Sequence, residues 1–152
     1  MAPFPSLKIA SQEECALNDE IPRQWSIFLL LTTLDDRLTQ YVLHKMGPSS
    51  SDEIADWRRV LELRKKANRT LLVRPESSLA LVRLQDYLQI DFDFSSWLRF
   101  IRKSSVNIAD VVVFMGILRK SEEQVSQILK RSAHQTLIAL SEGLVLLGEE
   151  LS

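Results

Sequence analysis

Apolar residues along this chain recur at spacings of three and four rather than in alternation, and glycine and proline are scarce within those stretches. That pattern predicts helices almost throughout. The expected fold class is all-α, a compact bundle of about six helices. Residues 1–10 are expected to form an irregular, flexible N-terminal arm and residues 11–152 a single helical domain.

Helix boundaries are marked by caps and breakers. Ser11 and Glu14 have capping-box spacing and predict a brief helix ending before Pro22. A long helix over residues 23–46 carries Trp25, Phe28, Leu31, Leu34, Leu38, Tyr41 and Val42 on one stripe, and Gly47-Pro48 stops it. Ser50 and Glu53 form a second capping-box candidate, opening a helix over 52–73. Pro75 then marks a break and suits the first turn of a helix reaching 88. A turn at residues 91–95 precedes a short helix over 95–103. Asn107 is expected to cap the next helix, whose residues 111–118 are apolar all round and so belong at the centre of the bundle. The β-branched run there would also suit a buried strand, but no partner strand is evident. Ser121 and Gln124 form a third capping-box candidate. The helix it opens is expected to reach about residue 140 and to continue or bend at Gly143 toward 151.

Charge changes the picture by its distribution. The chain has 19 basic and 20 acidic side chains, a net of −1. Residues 1–57 hold a net of −5, residues 58–131 a net of +7 and residues 132–152 a net of −3. A basic centre is one footprint of nucleic-acid or acidic-partner binding, but acidic ends folded back onto it would neutralise it. The longest apolar run, eight residues, is far short of the roughly 20 a membrane-spanning helix needs, so no span is expected. The N-terminus carries no pattern of a targeting signal, and a single cysteine, Cys15, fits a reducing compartment, cytoplasmic or nuclear.

Catalytic constellations are sparse. His44 and His134 lie far apart with one thiol in the chain, which disfavours zinc, and no Gly-x-Ser-x-Gly elbow or Gly-rich phosphate loop occurs. No cofactor and no metal are expected. Glu53 and Asp56, one turn apart, could join other carboxylates around Mg²⁺ in a hydrolase, but acids in a first helical turn also simply complement the macrodipole.

The helix over 52–73 carries the clearest feature. Arg58, Arg59, Glu62, Lys65, Lys66 and Arg69 share one face, opposite Ile54, Trp57, Val60, Leu61, Leu63, Ala67, Leu71 and Leu72. Arg64 and Asn68 fall inside the apolar arc. A buried Arg requires a carboxylate, which Asp35, Asp36 or Asp86 could supply; otherwise the arc opens as a groove where Arg64 meets an acidic partner. Trp25, Trp57 and Trp97 read as packing at the rim of one core, or as exposed anchors. Residues 111–131 fit a helix-turn-helix poorly, because the turn is too long. In the last helix Val125, Leu129, Ala133, Leu140, Leu144, Leu147 and Leu151 lie along one side with Ile138 and Val145 off it. Small residues Ser132, Thr136, Ala139 and Gly143 would let a neighbour approach closely. Two apolar surfaces imply two neighbours, one of which could be a second chain in a homodimer.

These features describe a non-enzymatic helical protein-interaction module: an adaptor, scaffold or regulatory subunit. Its expected partner-binding residues are Arg58, Arg59, Arg64, Lys65, Lys66, Asn68 and Arg69, and its C-terminal helix is a second candidate surface. The alternative is a nucleic-acid-binding protein using the block 58–131, with Arg99, Arg102 and Lys103 among the phosphate contacts.

Overall fold

A computed structural model describes residues 10–70, 77–88 and 94–151. Among them stand eight α-helices, one π-helical segment and no strand: α1 Ala10–Thr33, α2 Asp36–Met46, α3 Glu53–Thr70, α4 Ser77–Leu88, α5 Phe94–Lys103, α6 Val106–Val111, the π-helical segment Val112–Ile117, α7 Glu122–Leu129 and α8 Ala133–Leu151. The all-α expectation holds. Apart from Ala10, the expected N-terminal arm lies outside the described residues, as do residues 71–73 of the expected third helix.

Helix α1 is the axis of the bundle, touching α2, α3, α4, α6 and the π segment. Trp25, Phe28, Leu29, Leu30 and Leu31 are all within 1% of full burial. Three aromatic rings lock it in place. Phe28 stacks on Phe114 at 4.5 Å between centroids, and Trp57 meets both edge-on at 5.3 and 5.0 Å. The tryptophans are therefore interior rather than rim residues: Trp25 and Trp57 are at 0% exposure and Trp97 is at 2%, with its indole N–H donating to the Leu31 carbonyl at 2.8 Å.

Several boundaries differ from the periodicity. The first helix does not end before Pro22 but runs through it, and the Pro22 carbonyl accepts a bond from Ser26 Oγ. The long stripe over 23–46 is two helices. Leu34 takes the left-handed conformation at φ 54°, and Asp35 then caps α2 by accepting from the Leu38 N–H at 3.1 Å. The second expected capping box does not form. Asp52 caps α3 through the Ala55 N–H, and Ser50 instead bonds Asp56. Ser105, not Asn107, caps α6. The box at Ser121 and Gln124 forms as expected. Its helix, however, stops at Lys130, left-handed at φ 56°, and a further box at Ser132 and Gln135 starts α8, which then runs straight past Gly143.

Residues 111–114 are buried to within 2%, as an all-round apolar segment requires, but the rest of the expected central segment 111–118 is not: Met115, Ile117 and Leu118 are half-buried and Gly116 is exposed. The chain there widens into π geometry, closed by the Leu118 N–H on the Val113 carbonyl and the Lys120 N–H on the Phe114 carbonyl. Helix α8 lies across α6 and this segment, and also touches α5 and α7. Gly143 permits the approach: a Cβ there would collide with Val112 Cγ2 and lie 3.0 Å from Ile108 Cγ2. The small residues of the last helix thus serve packing within the chain, with Thr136, Ala139 and Gly143 all buried.

Candidate functional site

The basic face of α3 forms as its periodicity predicts, with Arg58, Arg59, Glu62, Lys65 and Lys66 exposed. Arg69 lies in α3 with its side chain outside the described residues. Much of this cationic block is tied to the chain itself. Arg58 donates from Nε and Nη2 to the Gln127 carbonyl at 3.1 and 2.6 Å, linking α3 to α7, and Arg59 donates to the Lys45 carbonyl at 3.2 Å. Acidic side chains from both ends of the sequence take others. Asp36 pairs with Arg83, Glu53 with Lys120, and Glu150 with both Arg99 and Lys103. The hydrogen bonds from Lys103 and then Arg99 hold the Glu150 carboxyl below its ordinary range. Arg102 is exposed on α5.

Arg64 does find a carboxylate, but not one of the three expected. Its Nη1 and Nη2 bond Asp110 Oδ1 and Oδ2 at 2.8 and 2.7 Å, a bidentate pair in which both residues are under 9% exposed. Nη1 also reaches Thr32 Oγ1 at 3.3 Å, and the guanidinium lies 5.3 Å from the Phe28 ring centre. Burial pushes the Asp110 carboxyl above its ordinary value, against the opposing pull of Arg64. Asp35 and Asp36 are occupied elsewhere, and Asp86 is exposed on α4. A cleft of about 380 Å³ with mixed polar and apolar walls opens over the pair, lined by Thr32, Thr33, Asp35, Leu38, Asn68 and Ile101 among others. Asn68 is exposed at its edge. Thr32 and Thr33 donate back to the Phe28 and Leu29 carbonyls, and Ser105 accepts from Ile108, so the polar lining largely serves its own helices.

Glu53 and Asp56, the carboxylates weighed for metal binding, are engaged with Lys120 and Ser50 respectively. Among the described residues no group of three or more His, Cys, Asp or Glu is placed to hold a metal ion. No helix among them is long and apolar enough to cross a membrane.

Helix α8 presents the surface that periodicity misplaced. Leu144 and Leu151 do not share the inner side with Leu140 and Leu147; they are 51% and 59% exposed. With Leu137, Ile138 and Val145, at 44–61% exposure, they form an outward stripe, joined by exposed His134, Ser141 and Gly148. Apart from His134 no titratable group stands on it. Glu142 and Glu149 flank it on one side, while Glu150 turns back to α5. Three leucines at 137, 144 and 151 repeat every seven residues, and 141 and 148 keep the same spacing. That leucine spacing was the available signal.

Compared with protein-family models, curated proteins and solved structures, the chain finds no match. The geometry alone therefore defines a class: an all-α bundle with a closed interior ion pair and an open apolar helix face.

Proposed function

We propose that this protein is a non-enzymatic interaction module, an adaptor, scaffold or regulatory subunit that works by docking the outer face of α8 onto a protein surface. The observation that carries the reading is the stripe of five large aliphatic side chains, each 44–61% exposed, on a helix whose opposite face packs on the bundle. Scattered exposed leucines need no explanation. A contiguous, uncharged row along one helix does, because it keeps apolar area in water that association would remove.

The basic face of α3 takes second place in this reading, since Arg58 and Arg59 bond backbone carbonyls and Arg64 is closed by Asp110. Immobilised wild-type chain and its Leu144→Asp and Lys65→Glu/Lys66→Glu variants separate the alternatives. Partner retention is expected to be lost with Leu144→Asp and kept with the double lysine change; the reverse pattern would return the site to α3. Fluorescence anisotropy with a labelled duplex, stepped from roughly 50 to 200 mM salt, addresses nucleic acid. Steeply salt-sensitive binding there would favour the phosphate-binding alternative.

A further inference from the structure

We propose that the occupant of the α8 stripe is a second copy of this chain, whose α8 runs antiparallel to the first about a two-fold axis between residues 142 and 143. The inference rests on the reading of the stripe as a docking face and names its partner.

The argument is self-complementarity. Written as heptads, the outward face of α8 has His134, Ser141 and Gly148 at one seam position and Leu137, Leu144 and Leu151 at the other, with Ile138 and Val145 beside them. If two such helices ran parallel in register, each layer would meet its own kind. Ser141 would face Ser141 and Gly148 would face Gly148, leaving voids between layers of paired leucines. Reversal removes this fault. About an axis between 142 and 143, His134 faces Leu151, Ser141 faces Leu144 and Gly148 faces Leu137, so every small or polar seam residue receives a leucine. Leu137 and Leu144 enter the gaps left by the opposing Gly148 and Ser141, which lets the helices approach closely around the axis.

Charge agrees with this direction. The start of α8 follows Lys130 and Arg131 and carries His134, whereas its end carries Glu149. Antiparallel pairing sets each basic start beside the other copy's acidic end, and it also opposes the two helix dipoles. A heterologous partner would have to supply the same pattern; a second copy has it already.

The size of the surface sets the strength. Helix α8 has 19 residues, a length of about 28 Å, and its stripe offers on the order of 400 Å², below the roughly 800 Å² per partner of a standard stable interface. The dimer is accordingly weak and reversible.

Sedimentation across concentrations up to about 500 µM tests the association. The weight-average mass should rise toward that of a dimer for wild type and stay monomeric for Leu144→Asp, which sets two carboxylates near the axis. Wild-type chain that stays monomeric throughout, or an association indifferent to Leu144→Asp, overturns the proposal. Monomeric wild type combined with Leu144→Asp-sensitive capture of another protein would remove the second copy while leaving the docking reading intact.

Direction is read by disulfide formation in a Cys15→Ser background, using Leu137→Cys and Gly148→Cys. Both sites are exposed, and a Cβ at 148 meets nothing within 4 Å, so folding is preserved. Antiparallel pairing places 137 opposite 148 of the other copy. Each site then lies about 16 Å from its own copy, beyond the reach of a disulfide. A mixture of the two single variants should therefore oxidise to a mixed dimer about tenfold faster than either alone. Faster dimerisation of Gly148→Cys on its own would mean parallel pairing and would overturn the arrangement.

Discussion

Two parts of the molecule handle a misplaced chemical group in opposite ways. At the junction of α3 and α6 a charge sits in the interior, and the chain closes it internally: the Arg64 guanidinium meets both oxygens of Asp110, with Thr32 and the Phe28 ring around it. On α8 apolar side chains stand exposed, and nothing among the described residues covers them. The difference teaches where to look for function. A buried charge must be satisfied, because its desolvation costs too much to leave uncompensated, and here Asp110 of the same chain satisfies it. Exposed aliphatic area costs far less per residue and can wait for an encounter. On the proposed reading the unusual residue inside is structural, and the ordinary residues outside are the ones left for docking.

The sharpest way to break this comparison is to open the closed side. Asp110→Ala leaves Arg64 charged and buried without a carboxylate, and urea unfolding should show a loss of about 3–5 kcal/mol. Replacing both residues together, Arg64→Leu with Asp110→Leu, should recover most of that loss, since the charge and its demand disappear together. A small loss in Asp110→Ala would mean that Arg64 can reach solvent through the cleft, and the contrast with α8 would fail.

A smaller effect separates the two faces of α8 itself. Gly143 faces Val112 and Ile108 with no room for a Cβ, whereas Gly148 faces open space. Gly143→Ala should cost about 1–3 kcal/mol through overpacking. Gly148→Ala should stabilise by about 0.5–1 kcal/mol, because alanine favours the helix and meets nothing. Thermal melts of the two variants should therefore move in opposite directions. Movement in the same direction would show that α8 is not seated on α6 as described.

How much of this was legible in the sequence follows the same division. The all-α class, the box at Ser121 and Gln124, and the need of Arg64 for a carboxylate all follow from local spacing. What was hidden depends on contacts between distant segments. The break at Leu34 carries no glycine or proline, and apolar periodicity runs straight across it; a leucine holds the left-handed position because it is 6% exposed in the core. Asp110 lies 46 residues from Arg64, inside an apolar run that gives no hint of an ion pair. The outer stripe of α8 was half visible. Its leucine spacing is plain in the sequence, but on a helical projection Leu144 and Leu151 adjoin Leu140 and Leu147. Only the position of α6 decides which pair faces in.

The smallest effect concerns what holds the open face in place. Glu150, on the inner edge of α8, accepts from Arg99 and Lys103 of α5, while Ser96 and Arg99 donate to its backbone carbonyl. Because these bonds lower its folded-state pKa, its contribution is present above the ordinary carboxylate value and is lost as pH falls through the lower, folded one. Glu150→Gln should therefore melt below wild type near neutrality, and the gap should close once acid has protonated the carboxyl in both states. The same variant should fray the end of α8 first, so amide exchange near Leu151 should quicken while exchange around Leu137 stays unchanged. Equal quickening along all of α8 would mean that Glu150 supports the helix as a whole, and the anchor would have to be sought in the buried contacts of Gly143 instead.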